Sequence, residues 1–177
     1  METKTKKNNF FVEIYELLDT IILSAVLVLV AFTLFFRIFV VSGPSMNPTL
    51  SNGDRLFVSD FLYTPKNSDI ICFYNEYKDE VLIKRVIATE GQTVNIGNDL
   101  CVYVDNQKLD EPYIAGANTL KRTFDLPYTV KEGELFVLGD NRMDSLDSRY
   151  LEIGPVDTDN VLGKLIFRIT PKFGKVE

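Results

Sequence analysis

Residues 21–41 read IILSAVLVLVAFTLFFRIFVV, an unbroken apolar run whose one charge is Arg37, near its far end. At about 1.5 Å per residue a helix of this length reaches roughly the 30 Å of a bilayer core, so the run predicts a transmembrane helix. Arg37 is tolerable there because a long side chain near a helix end can snorkel to the headgroups. The alternative is a cleaved signal peptide, with Lys4, Lys6 and Lys7 before the run and the small residues Ser42 and Gly43 after it. Against that, the run exceeds the usual apolar region of about 7–15 residues, and twenty polar or mixed positions precede it. The lysines favour a cytoplasmic tail at 1–20, which would leave 42–177 outside as an extracytoplasmic domain of a single-pass plasma-membrane protein.

Charge and composition then remove whole classes of chemistry. Of 19 Lys/Arg and 25 Asp/Glu, four of each precede Ser42, so the outer part holds the entire net charge of −6. An acidic domain argues against nucleic acid as a partner. The chain has no histidine, so neither a Ser-His-Asp triad nor a HExxH zinc site is possible. Cys72 and Cys101 lack metal-ligand spacing; they suit a disulfide or buried thiols equally well. No glycine-rich phosphate loop, repeat or low-complexity tract is present.

Past residue 42 the pattern is short apolar runs between turn signals. Strands are expected at Arg55–Val58, Asp69–Tyr74, Val81–Thr89, Thr93–Ile96, Leu100–Val104, Glu134–Leu138 and Val161–Ile169. Gly116–Val130 reads as an extended loop. No helical periodicity appears after the apolar run, so the fold class is mainly β: one N-terminal helix, then an all-β, partly barrel-like domain.

Three stretches can carry chemistry. VSGPSMNPTL, 41–50, holds Ser45 in a turn that Pro44 and Pro48 stiffen. In VLIKRVIAT, 81–89, strand alternation sends Lys84 and Arg85 to opposite faces, each otherwise apolar. Arginine stays charged and needs a carboxylate, whereas a desolvated lysine can lose its proton and act as a general base. The plainer possibility is two cations on a solvent-facing edge strand. GDNRMDSLDSR, 139–149, supplies the hydroxyls of Ser145 and Ser148, the carboxylates of Asp140, Asp144 and Asp147, and the guanidiniums of Arg142 and Arg149. Those groups can orient a neutral lysine and brace a loop; a plain polar turn is the alternative. A calcium loop fits poorly, lacking alternate acidic ligands and the central glycine.

In this order after an apolar run, Ser45-Met46-Asn47-Pro48-Thr49, Lys84-Arg85-Val86 and the box from Gly139 to Arg149 resemble type I signal peptidases. The pairs Gly53-Asp54 and Asp69-Ile70 extend the similarity. Departures are Thr89-Glu90-Gly91-Gln92, Asn67-Ser68, and Gly43 where some relatives carry a hydroxyl serving the oxyanion hole. The resemblance implies a membrane-bound serine endopeptidase that removes signal peptides from secretory preproteins, without metal or organic cofactor. Ser45 would be the nucleophile and Lys84 its base. Ser145 would hydrogen-bond the lysine amine, and Asp147 would pair structurally with Arg149 or Arg85. Met46 would pack beneath the site, while Leu50 and Ile83 would help line shallow pockets for small residues before the cut. Two rivals remain. A self-cleaving Ser–Lys repressor would need a DNA-binding domain in place of the apolar run. A membrane-anchored β module that only binds partners would have no use for all of Ser45, Lys84 and Ser145.

Overall fold

The computed structural model describes residues 2–114, 116 and 118–176, with the side chains described from residue 12 onward. It divides into two units, residues 1–36 and 37–177. The first is the helix α1, Glu2–Phe35. Its segment Val12–Phe35 is long and apolar enough to cross a membrane. Three hydroxyls in it, those of Thr20, Ser24 and Thr33, bond back to the helix itself. Thr20 Oγ1 donates to Glu16 O at 2.8 Å, Ser24 Oγ to Thr20 O at 2.7 Å and Thr33 Oγ1 to Val30 O at 2.9 Å, so these three hydroxyls need no water.

The helix stops before the apolar run does, which corrects the reading of 21–41 as one span. Phe36–Val40 is strand β1, built from aromatic and β-branched residues around Arg37 that suit a pleated surface. Arg37 therefore stands on a strand rather than snorkelling from a helix; its Nη2 lies 3.7 Å from Asp60 Oδ2. Val41 follows into the core, with its N–H donating to Asp54 O and its carbonyl accepting from Gly53 N, both at 2.9 Å.

The second unit is mainly β. All seven expected strands form: β2 Arg55–Ser59, β3 Ile70–Asn75, β4 Glu80–Thr89, β5 Thr93–Ile96, β6 Val102–Val104, β9 Glu134–Leu138 and β11 Val161–Thr170. Added to them are β1 and three two-residue ladders, β7 Gln107–Lys108, β8 Tyr128–Thr129 and β10 Val156–Asp157. Two residues are too few to show a period, so these left no signal, and β8 closes the supposed loop 116–130. One sheet runs β1-β2-β11-β3-β4-β9-β10 and the other β7-β6-β5-β8. Neither closes into a barrel.

The larger sheet is buried on both faces at its centre. On β3, Ile70 and Cys72 enter one cluster with Leu56, Val58 and Leu165, while Ile71 and Phe73 enter another with Val86 and Val137. Farther along β4, a register shift between Val86 and Ala88 opposite β9 turns Ile87 and Ala88 into a third cluster with Phe136 of β9 and with Val94 and Ile96 of the smaller sheet. Strand β4 thus lies between β3 and β9 and contributes side chains to all three clusters. It is not an edge, and both of its cations are enclosed: Lys84 is 2% exposed and Arg85 3%. Cys72, buried, and Cys101, half-buried, are free thiols.

Candidate active site

The turn holding Ser45 is tied down from within and below. Gly43 adopts φ +85°, a left-handed conformation that other residues rarely take, and its N–H donates to Asn52 Oδ1 at 3.0 Å. Asn47 N–H bonds Pro44 O at 3.0 Å and Leu50 N–H bonds Met46 O at 2.9 Å, closing one tight coil around the serine. Met46 and Leu50 drop into the core beside Val41 and Leu56, leaving Ser45 half-buried above them.

Strand β4 brings Lys84 to this turn from 39 positions away in the chain. Its Nζ lies 2.9 Å from Ser45 Oγ and donates to Ile83 O at 3.0 Å. Burial disfavours the ammonium and lowers the lysine pKa from 10.5 to about 8, against the opposing pull of the Asp147, Glu80 and Asp140 carboxylates. With the amine neutral, one N–H still serves Ile83 O and the lone pair faces the serine hydroxyl. A hydroxyl within hydrogen-bond reach of a desolvated amine is the geometry of an activated nucleophile.

The box after β9 wraps both partners. Gly139 is wedged against them: a Cβ there would lie 2.1 Å from Ser145 Oγ and 2.5 Å from Ser45 O. Its N–H donates to Asp147 Oδ2 at 3.0 Å, and Asp147 also grips Arg149 through Nε at 2.8 Å and Nη2 at 2.9 Å. Arg85 pairs with Asp140 instead, at 2.9 and 2.7 Å, so of the two arginines offered to Asp147 only Arg149 takes it. The same Asp140 accepts from Thr49 Oγ1 in the serine turn. Arg85 needed a carboxylate, which its strand context made legible; which carboxylate depended on where the box folds back.

Two expected contacts differ. Ser145 is 7% exposed, but its Oγ has no hydrogen-bond partner, because the Lys84 amine is turned to Ser45 and Ile83 O. Leu50 is 0% exposed and belongs to the core, so it walls no opening, whereas Ile83 remains half-buried beside the lysine. Met46 is buried in the same core cluster as Leu50. Sequence reasoning missed Glu111 and Thr119. Glu111 receives both Nη atoms of the fully buried Arg142, and Thr119 Oγ1 accepts from Nη1 at 2.8 Å. Tyr113 lies under the Arg85 guanidinium, 3.8 Å from carbon to ring centre. Nothing local in EPY, 111–113, distinguishes these residues from an ordinary loop.

Residues 14–170 match the family model described as signal peptidase, peptidase S26. The chain is 36% identical over 180 residues to signal peptidase I of Bacillus licheniformis, covering 96% of this chain and 94% of that protein. It is 32% identical over 180 residues to signal peptidase I T of Bacillus subtilis, covering 96% and 91%. Signal peptidase IB of Staphylococcus aureus is 34% identical over 181 residues, covering 88% and 91%. A crystal structure of a signal peptidase I from Enterococcus faecalis aligns with a TM-score of 0.50 at 32% identity, covering 58% of this chain and 97% of that one.

Proposed function

The chain belongs to the signal peptidase family, and on that premise we propose that it removes signal peptides from secretory preproteins, with Ser45 as nucleophile and Lys84 as general base. The observation that carries this reading is the 2.9 Å approach of Ser45 Oγ to a buried amine whose pKa is brought down to about 8. Neutral Lys84 takes the hydroxyl proton as Ser45 Oγ bonds to the scissile carbonyl carbon, and the carbonyl electrons move onto oxygen. Collapse of that oxyanion breaks the C–N bond, and the Lys84 ammonium returns its proton to the departing amine of the mature protein. Water, deprotonated by the same amine, then adds to the ester carbon; collapse breaks the bond to Ser45 Oγ, to which the Lys84 ammonium returns the proton, and frees the carboxylate end of the signal peptide. Asp147–Arg149 and Arg85–Asp140 hold the walls of the site, and Ile83 borders the amine.

The helix Val12–Phe35 anchors this activity in the bilayer, with Lys4, Lys6 and Lys7 on the cytoplasmic side and the β unit on the opposite face. That placement suits a substrate whose cleavage site emerges from the membrane. The test is incubation of the detergent-solubilised full chain with a preprotein, mapping the new N-terminus by mass spectrometry. Cleavage by wild type, with Ser45→Ala and Lys84→Ala each folded but retaining under about a tenth of its turnover, is the expected result. Because members of a catalytic unit act non-additively, the double variant should be little worse than either single. A folded Ser45→Ala protein that still cleaves would overturn the assignment, and a wild type that binds preproteins without cutting them would favour a binding module.

A further inference from the structure

Asn141, the third residue of the box after β9, makes two contacts with the nucleophile's backbone. Its N–H donates to Ser45 O at 3.0 Å. Its side-chain Nδ2 lies 3.2 Å from Pro44 O, and since a carbonyl oxygen only accepts, the amide nitrogen is the end that must face it. One residue therefore holds the carbonyls on both sides of the Ser45 Cα. Pro44 O is shared with Asn47 N–H, which closes the turn from inside, so Asn141 occupies the second lone pair from the facing loop. The Pro44–Ser45 peptide is planar and trans, so fixing its oxygen fixes the opposite direction of the Ser45 N–H. Among the described residues that N–H donates to no acceptor. Gly43 offers no hydroxyl nearby that could share its work.

We propose that Asn141 is a positioning residue that aims the Ser45 backbone N–H at the oxyanion formed during acyl transfer, through its hydrogen bond to Pro44 O. This rests on the acyl-transfer reading above. The contact is already made in the free protein, and its benefit falls on the charged intermediate, where a preset donor matters most. Asn141 is half-exposed and uncharged, so it contributes little to the core and does not titrate with Lys84.

The experiment uses the full chain in detergent, comparing wild type, Asn141→Ala and Asn141→Asp on a preprotein substrate. Asparagine and aspartate are alike in shape, but the carboxylate cannot donate. Turnover is read on the high-pH plateau, where the added charge no longer acts through the lysine. Loss of one oxyanion donor costs about 100- to 1,000-fold, so misaiming it should lower kcat by about 10- to 100-fold in both variants. KM should stay within about twofold, the melting temperature should hold, and in Asn141→Ala the midpoint of the pH limb should not move. A peptide aldehyde gives a second readout: Ser45 Oγ adds to its carbonyl carbon, placing the adduct oxygen where the oxyanion forms. Its affinity should fall by the same factor as kcat/KM, while a product-like peptide binds the variants as it binds wild type. Unchanged kcat overturns the inference, as does a rise in KM alone, which would make Asn141 a substrate contact, or a loss of turnover matched by a loss of folded protein. If wild type is active and Ser45→Ala inactive, such results remove this inference alone; an inactive wild type removes its premise.

Discussion

Lys84 is held in the fold at a thermodynamic cost that its proposed role as general base would require. Bringing its pKa from 10.5 to about 8 corresponds to roughly 3 kcal/mol of lost stability at neutral pH, since each unit is worth about 1.4 kcal/mol. The sign follows from proton binding. Between about pH 8 and 10.5 the unfolded chain binds the proton that the folded amine has released, so stability rises with pH across that window. Below it the full penalty is present, and above it the penalty is gone. Lys84→Met removes the charge and keeps the length, losing hydrogen bonds to Ser45 Oγ and Ile83 O worth about 1 kcal/mol each. The variant should be inactive yet at least as stable as wild type at pH 7, with its advantage gone by about pH 10.5, as urea unfolding at the two pH values would show. In wild type, kcat/KM should climb with pH along a limb centred near 8 on a substrate without titrating groups. A flat profile, or a Lys84→Met protein several kcal/mol less stable, would mean a charged lysine held by a carboxylate.

Arginines on β4 and in the box join these elements to residues 111–120. Arg85, Arg142 and Arg149 are all buried, and each meets a carboxylate plus a backbone carbonyl: Asp140 with Ser68 O, Glu111 with Gly139 O, and Asp147 with Leu120 O. Buried pairs of this kind add little net stability over apolar residues, but breaking one strands a charge at about 3–5 kcal/mol. Asp147→Asn should therefore lower the melting temperature by roughly 10 °C as well as reducing activity. Glu111→Gln should do the same to a comparable degree, although it lies far from the box in sequence. Calorimetry of both variants checks this. Unchanged melting of Asp147→Asn would refute a bracing role, and unchanged melting of Glu111→Gln would separate residues 111–120 from the site.

We propose that the independently folding β unit includes β1, ahead of residue 42. Phe39 and Val41 pack on the cluster beneath Ser45, and β1 covers the open edge of β2. A chain started at Phe36 should give a soluble, monomeric β unit. One started at Ser42 should aggregate or melt lower, because β2 then presents unpaired backbone groups and the core loses two apolar side chains. Size-exclusion chromatography and thermal unfolding of the two truncations would show the difference; equal behaviour would place the boundary at 42 after all.

The candidate chemistry was proposed from the linear chain through the ordered motifs Ser45-Met46-Asn47-Pro48-Thr49, Lys84-Arg85-Val86 and Gly139 to Arg149, which resemble a known family. Composition alone only removed histidine-based mechanisms, and left Lys84 and Arg85 readable as two cations on an edge strand. Alternation located seven strands, and the length of the apolar run marked the helix. What alternation cannot carry is register. The helix ends at Phe35 because β2 is there to pair with Phe36–Val40, and β4 is central because β9 returns beside it after the 44 residues 90–133. Local sequence told that Arg85 must have a carboxylate, not that Asp140 would reach it before Asp147. Leu50 was apolar beside a candidate nucleophile, and only the packing of Val41, Leu56 and Leu165 decided that it faces inward. Side-chain character is set residue by residue, whereas partner identity depends on how strands and loops distant in the chain are brought into register, and that is decided only when the sheets assemble.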